Sequence, residues 1–148
     1  MATTTATITL ASSDIADNSF SVSNTSVLYN AGNDTGISET TGLGRKKVAT
    51  SGNVVLLDGG LTSGIAADVT ADKSAKVYIK NHNDRGDGSK FVNILLAAVE
   101  IGRLYGGDWM FIPADFHDAA GDIAITANGG TNKICYALFH EGITLVAS

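Results

Sequence analysis

Alternation of apolar and polar residues is the main pattern of this chain, and it predicts β-strands. The segment 3–10 alternates threonine with alanine, isoleucine and leucine, and 76–80 reads Lys-Val-Tyr-Ile-Lys. A period of two residues places alternate side chains on opposite faces of a strand, so Val77 and Ile79 are expected to share one face. The N-terminal segment fits a half-buried strand, and 1–18 fits an extended arm equally well.

The densest strand pattern lies between residues 75 and 139. At its centre, 100–113 contains a Gly-Gly pair between two apolar runs, which predicts a strand, a tight turn and a second strand. The long apolar run 91–104 predicts either two strands with a bend or bulge at its alanine pair or one long strand that crosses between sheets. A helix over 92–101 is the competing interpretation, because the apolar residues there also suit helical spacing.

Shorter apolar runs predict the remaining strands, and stretches rich in glycine or asparagine predict the turns between them. A second Gly-Gly turn separates 122–127 from 133–140, and the alternation on both sides of it predicts a hairpin. In contrast, 30–52 is rich in glycine, threonine, serine and asparagine, and it predicts a long loop of the kind that usually binds a partner. The other predicted strands are 20–29, 53–57, 65–69, 109–112 and 143–147.

These elements predict one all-β domain that spans residues 1–148. About eight to ten short strands with polar turns and little helix exclude a doubly wound α/β fold. The expected architecture is an antiparallel β-sandwich, jelly-roll-like or of a related Greek-key topology. A chain of 148 residues is long enough to bury one hydrophobic core.

Charged residues make up 17% of the chain, below the roughly 25% of a typical domain. The surface is therefore expected to be neutral and polar, which fits either packing against other subunits or a soluble monomer. The net charge of −5 at pH 7 argues against nucleic acid as a partner, because phosphate binding needs clustered lysine and arginine. The basic run Arg45, Lys46 and Lys47 lies in the predicted long loop, where a solvated turn and a partner contact are both open interpretations.

Cys135 is the single cysteine, so no internal disulfide can form, and its apolar neighbours predict a small buried side chain. The chain contains no run of 18 apolar residues, and its first residues lack the basic and apolar blocks of a signal peptide. Neither a membrane span nor secretion is expected. We expect the protein to be made in the cytoplasm and to stay there unless it leaves inside a larger particle.

Three histidines could meet in the folded chain and form a metal site with a carboxylate. His82, His117 and His140 each lie at a predicted strand end or loop, and Asp115 and Asp118 flank His117. No HxH or HExxH spacing supports such a site, and polar surface side chains are the simpler interpretation. No metal ligand is therefore predicted.

No other familiar motif predicts catalysis or a cofactor. The loop 83–88 looks like a calcium loop, but Arg85 occupies a ligand position and Ile94 stands where a bidentate glutamate is needed. The segment 42–47 lacks the spacing of a phosphate loop, and no serine lies in a nucleophile elbow. We therefore predict a protein without catalytic residues or a cofactor.

Trp109, Met110 and Phe111 supply large apolar groups to both faces of one predicted strand. Burial on both faces is typical of a central strand of a sandwich, and a partner or oligomer contact on one face is the alternative. Aromatic, methionine and basic residues are the candidates for such contacts. The candidate contact residues are Arg45, Lys46, Lys47, Tyr105, Trp109 and Met110.

The segment 99–113 reads Val-Glu-Ile-Gly-Arg-Leu-Tyr-Gly-Gly-Asp-Trp-Met-Phe-Ile-Pro, and it is followed by Asp-Ile-Ala-Ile-Thr at 122–126 and Cys-Tyr-Ala-Leu-Phe at 135–139. Together these segments resemble small virion structural proteins of tailed bacteriophages, particularly the capsid decoration or cement type, over 75–139. The resemblance implies a β-rich homo-oligomer, often a trimer, that binds the major capsid protein from outside the shell. It implies no catalytic residues.

From the resemblance we expect a virion protein that is made in the host cytoplasm and placed on the outer capsid surface. The segments 1–10 and 30–52 are expected to become ordered on the shell. A tail, neck or fibre component of the same kind of virion is the alternative. A carbohydrate-binding β-sandwich module is a second alternative, in which Trp109 or Tyr105 stacks on a sugar.

Overall fold

The computed structural model describes residues 3–12, 20–30, 36–40, 43–49, 52–57, 73–86, 88–115 and 122–144. The regular elements within these ranges are β-strands, and no helix occurs in them. Accordingly, the described part of the chain has no helix that is long and apolar enough to cross a membrane. The strands in chain order are β1 (Thr3–Ser12), β2 (Phe20–Asn30), β3 (Gly36–Thr40), β4 (Gly44–Val48), β5 (Asn53–Leu57), β6 (Lys73–Asn81), β7 (Phe91–Leu96), β8 (Val99–Tyr105), β9 (Trp109–Asp115), β10 (Ile123–Asn128) and β11 (Asn132–Thr144).

The strands form two sheets that pack face to face. The larger sheet has seven strands in the order β1-β2-β3-β11-β6-β9, with β4 also paired to β11. The smaller sheet has four strands in the order β5-β10-β7-β8. Among the described strands, every pair is antiparallel except β2 with β3, which pair in parallel at Tyr29 with Gly36 and at Asn30 with Ile37. The predicted all-β, antiparallel sandwich is confirmed.

The hydrophobic core lies between the sheets and follows the alternation of the strands. In β6, Val77 and Ile79 are fully buried on one face, as the period of two predicted. Full burial of an aliphatic side chain of this size stabilises a fold by about 1.5–3 kcal/mol. The buried apolar residues of the core are Val48, Leu56, Leu57, Val77, Ile79, Val92, Ile94, Leu104, Ala114, Ile123, Ile125, Ala127, Ile134 and Leu138.

The two Gly-Gly turns join strands of different sheets. β8 belongs to the smaller sheet and β9 to the larger, and the same holds for β10 and β11. The strand, turn and strand predicted over 100–113 are present, whereas the predicted hairpin of 122–127 with 133–140 is wrong. Both turns contain left-handed glycines, with φ of +83° at Gly107 and +70° at Gly129. At each of these turns the chain passes from the smaller sheet to the larger one. Alternation alone does not predict this change of sheet, because the two strands of a hairpin show the same alternation.

The alanine pair after β7 forms the turn of a true hairpin. β7 and β8 pair in antiparallel fashion on either side of it. Ala97 and Ala98 adopt φ of 49° and 64°, the positive values that a two-residue hairpin turn of this kind requires. The prediction of two strands on either side of the alanine pair is confirmed, but the chain reverses there in a tight turn and not in a bend or bulge. The two alternatives, one long strand that crosses between sheets and a helix over 92–101, are wrong.

The segment 30–52 is not a loop throughout. It contains β3 and β4, and both pair with β11 in the larger sheet. Gly44 of β4 lies opposite Tyr136, whose ring occupies the space that a Cβ at this position would need. Backbone pairing with a central strand therefore fixes these short strands, although their own sequences show little alternation. The prediction of a long loop is corrected accordingly.

The N-terminal segment is a strand. β1 pairs with β2 along its whole length, and the hydroxyl oxygens of Thr7 and Thr25 lie 3.2 Å apart across the pair. Of the two interpretations offered for this segment, the strand applies over 3–12, and the rest of the predicted arm lies outside the described residues. The strand predicted at 65–69 lies outside them as well. β11 continues to Thr144, so the two strands predicted at its end form one element.

Buried asparagines connect the loops at one end of the sandwich, and Asn81 and Asn132 are fully buried. Nδ2 of Asn81 donates to the Leu104 carbonyl at 3.1 Å, and its Oδ1 accepts from the backbone N–H of Asn83 at 3.0 Å. Nδ2 of Asn83 donates to Oδ1 of Asn132 at 2.5 Å, and Nδ2 of Asn132 donates to the Asn128 carbonyl at 2.9 Å. Because a buried amide without partners costs free energy, this network holds the loop after β6 against β8 and the turn after β10.

Candidate functional site

The outer face of the larger sheet brings aromatic side chains together. In antiparallel strands, residues directly opposite each other project from the same face. Ala137 of β11 lies opposite Tyr78 of β6, and Tyr78 lies opposite Phe111 of β9. Since the neighbouring residues Val77 and Ile79 face the core, this row faces outward.

Four aromatic side chains on this face, Tyr78, Trp109, Phe111 and Phe139, form a surface that we call the aromatic floor. The ring centroids of Tyr78 and Trp109 lie 6.3 Å apart, and those of Phe111 and Phe139 lie 6.5 Å apart. Tilted ring pairs within about 7 Å attract each other beyond the effect of burial. Trp109 is nevertheless 47% exposed. The aromatic floor is therefore an ordered apolar surface that a partner or ligand can reach.

Strand β1 borders the aromatic floor. Residues 5–8 of β1, together with Leu43 and the floor itself, line a groove of about 530 Å³. This volume falls within the range of about 300–1,000 Å³ that is usual for binding pockets. Its lining is mainly apolar, so the groove suits apolar side chains of a partner more than a charged ligand.

The position of β9 corrects the prediction for Trp109, Met110 and Phe111. β9 is the last strand of the larger sheet and not a central one. Trp109 and Phe111 face outward, whereas Met110 packs against the core with Ile112. One face of β9 is therefore buried, and the other carries half of the aromatic floor. Met110, a predicted contact residue, is not part of the candidate surface.

The basic run lies on a strand and not in a solvated turn. Arg45, Lys46 and Lys47 form the middle of β4. Arg45 and Lys47 are exposed on the outer face of the larger sheet. Lys46 projects from the opposite face, and its Nζ donates to the carbonyl of Val55 in β5 at 3.1 Å. β4 thus presents Arg45 and Lys47 on the outer face, whereas Lys46 connects the two sheets through its hydrogen bond to β5.

The pairing of β4 with β11 brings Lys133 and His82 close to the outward cations Arg45 and Lys47. Lys133 of β11 lies directly opposite Lys47, and the backbone N–H of His82 donates to the Lys133 carbonyl at 2.7 Å. These residues line a groove of about 510 Å³, which we call the basic groove, together with Arg45, Lys46, Ile134 and Cys135. The local sequence does not predict Lys133 at this position, because nothing in it specifies that β4 pairs with β11.

Cys135 is a buried free cysteine, as predicted. On the outer face it lies between Arg45 of β4 and Lys80 of β6, which are its partners in the two neighbouring strands. Burial raises the pKa of Tyr78 above its ordinary value of 10.0, and the nearby Cys135 adds to the increase. The Tyr78 phenol therefore stays protonated at neutral pH and can donate a hydrogen bond from the aromatic floor.

Tyr105 lies on the outer face of the smaller sheet, away from Trp109. Its ring centroid lies 5.5 Å from that of Phe91, and the guanidinium carbon of Arg103 lies 4.1 Å from the Phe91 centroid. Nε of Arg103 donates to Oδ1 of Asn93 at 2.9 Å. These residues form a second ordered surface. The structure therefore does not bring the two predicted aromatic contacts, Tyr105 and Trp109, together.

Within the described residues, no group of three His, Cys, Asp or Glu side chains is placed to hold a metal ion. His82 lies in the basic groove. His117 and Asp118 lie outside the described residues, as do the side chains of Asp115 and His140. The structure thus places the side chain of only one of the three candidate histidines.

A scan against protein-family models found no match, and a search of curated proteins found none. The case for a function therefore depends on the chemistry of the aromatic floor and the basic groove.

Proposed function

We propose that this chain is a non-enzymatic structural protein of a tailed-bacteriophage virion, a capsid decoration protein that binds the major capsid protein on the outer surface of the shell. The observation that carries the proposal is the half-exposed Trp109 on an ordered aromatic face. Aromatic residues and arginine are enriched in protein interfaces, where a few of them supply most of the binding energy. The class of partner comes from the sequence resemblance over 75–139.

The aromatic floor is suited to bind another protein because its residues are already held in place. Trp109 packs against Tyr78, and Phe111 against Phe139, so little side-chain freedom is lost when a partner covers them. Cations flank the floor, since Lys80 lies opposite Trp109 in the adjacent strand. An apolar centre with a charged rim is the usual arrangement of an interface.

The proposed mechanism is bridging between neighbouring shell subunits. In a homo-oligomer, with a trimer favoured, each protomer presents one aromatic floor to a different copy of the major capsid protein. Simultaneous contacts raise the effective concentration of each further contact, so that detachment requires several interfaces to open together. Expansion or rupture of the shell would then have to break many such contacts.

The test is reconstitution on shells that lack the protein. Purified chain is added to them, unbound protein is removed, and the copies retained per particle are counted against the major capsid protein. We expect retention in numbers comparable to those of capsid subunits, and at least about tenfold weaker binding for Trp109→Ala, because it removes a large aromatic anchor. Circular dichroism verifies that the variant is folded.

Ile101→Ala is the matched control, since Ile101 is 44% exposed on the outer face of the smaller sheet. It should bind as the unchanged chain does. Full retention of Trp109→Ala would refute the role of the aromatic floor. A few copies per particle, in place of a full coat, would instead assign the chain to the tail, neck or fibre of the virion.

Carbohydrate binding is a second candidate, which the exposure of Trp109 beside Tyr78 favours. An accessible indole can stack on the apolar face of a sugar, and a neighbouring phenol can donate to a sugar hydroxyl. In this case a glycan array would give specific signals, and a bound sugar would shift the tryptophan fluorescence. The signals would disappear in Trp109→Ala and persist in Ile101→Ala. Silence on the array would dismiss this candidate.

A further inference from the structure

The basic groove contains cations that repel each other within the free chain. Lys47 and Lys133 lie directly opposite on β4 and β11, an arrangement in which the Cβ atoms are about 5 Å apart and like charges destabilise the pair. Both side chains are exposed. None of the carboxylate side chains that the structure describes makes an ion pair with either lysine or with Arg45. The groove therefore holds positive charge that these described side chains do not neutralise.

The arrangement of these cations follows the strands. Arg45 and Lys47 are two residues apart on β4, so their side chains leave the same face about 7 Å apart along the strand. Lys133 stands beside Lys47, and Lys80 stands across the buried Cys135 from Arg45. Arg45 and Lys80 thus flank Cys135 from the two neighbouring strands, and Lys133 lies two residues from it on β11.

We propose that the basic groove binds an acidic polypeptide segment in extended conformation. An extended peptide that runs along β4 presents every second side chain to the sheet with the same spacing of about 7 Å. Two carboxylates separated by one residue can then pair with Arg45 and with Lys47 and Lys133. Arginine is well suited to this role because its planar guanidinium can bind a carboxylate through two parallel hydrogen bonds.

The overall charge favours a peptide over nucleic acid as the occupant. The chain carries a net charge of −5, which repels a polyphosphate along its whole length. A short acidic segment carries few charges, and these come to lie within the groove, where the cations act over less than the Debye length of about 8 Å.

This inference deepens the proposed function and rests on it only for the source of the peptide, an acidic segment of the major capsid protein. The chemistry of the groove can be tested without a virion. Failure of the peptide to bind would therefore overturn the inference and leave the aromatic floor as a capsid contact, whereas failure of shell binding would leave the peptide result unchanged.

The experiment measures the binding of a short fluorescein-labelled peptide that alternates glutamate with valine, by fluorescence anisotropy with the full chain. We expect binding that weakens as salt is added, and no binding of the matching peptide in which glutamine replaces glutamate. The double variant Lys47→Gln/Lys133→Gln should bind about tenfold more weakly, since two charge pairs are lost.

Arg103→Gln is the control. It removes a positive charge from the outer face of the smaller sheet, outside the basic groove, and it should change the dissociation constant by less than about twofold. Equal weakening by Arg103→Gln would overturn the proposal, because it would indicate a response to net charge alone. Equal binding of the glutamine peptide, or tighter binding of single-stranded DNA of the same charge, would also overturn it.

Discussion

Lys47 and Lys133 lie directly opposite each other on adjacent strands, with both side chains exposed on the outer face of the larger sheet. We expect Lys133→Glu to raise the free energy of unfolding by about 0.5–1 kcal/mol at low ionic strength, because it replaces a repulsive cross-strand pair with an attractive one. Urea denaturation followed by circular dichroism measures the change. The same substitution should abolish binding of the acidic peptide, so stability and binding would change in opposite directions.

The double variant Lys47→Glu/Lys133→Glu is the control for this pair. It restores like charges at opposite positions and should lose the gain in stability. High salt should reduce the differences among all three proteins, since exposed charges are screened. If the double variant were also more stable than the unchanged chain, the gain in stability would not arise from the charges of this pair.

Asn81 is expected to be among the most sensitive polar residues of the described chain. Asn81→Ala should lower the free energy of unfolding by about 2–3 kcal/mol, because it leaves the Leu104 carbonyl and the Asn83 N–H without their partner at a buried position. Thr126→Val is a suitable control. It removes the exposed hydrogen bond from Thr126 to Asn53, 2.6 Å long, and should cost about 1 kcal/mol or less. Equal losses in the two variants would contradict a structural role for the buried network.

Gly129 and Gly130 allow backbone strain to be separated from steric contact. Both have positive φ, +70° and +97°, so alanine at either position should cost roughly 1–2 kcal/mol. A Cβ at Gly129 would also collide with the carbonyl of Ser89, whereas a Cβ at Gly130 meets nothing within 4 Å. We therefore expect Gly129→Ala to lower the melting temperature clearly more than Gly130→Ala. Equal shifts in the two calorimetric scans would argue against close packing of Gly129 on Ser89.

Local alternation predicted which side chains share a face, and it did so reliably. Val77 and Ile79 are buried together, and Trp109 and Phe111 project opposite to Met110. Alternation could not predict which face of β9 is buried, because that depends on its place at the end of the larger sheet. The prediction that β9 is a central strand was therefore wrong about its position in the sheet.

The local sequence did not predict which strands pair with each other. The hairpin expected across Gly129 is a crossing between sheets, and β4 looked like a loop because its pairing depends on β11. The basic groove depends on that same long-range pairing, which places Lys133 beside Lys47. The sequence thus predicts Arg45 and Lys47 as contacts, but only the sheet order shows the groove they line.

Tyr78 should make stability depend on pH in the alkaline range. Its pKa in the folded chain is raised above 10.0 by burial first and by Cys135 second, so the folded state holds the proton more tightly than the unfolded state does. The resulting stability is fully present below pH 10.0 and is lost as the pH rises through the folded pKa. Tyr78→Phe has no proton to lose, so its urea midpoint should fall less steeply than that of the unchanged chain above this pH. Parallel curves for the two proteins would show that the Tyr78 phenol has the same proton affinity folded and unfolded.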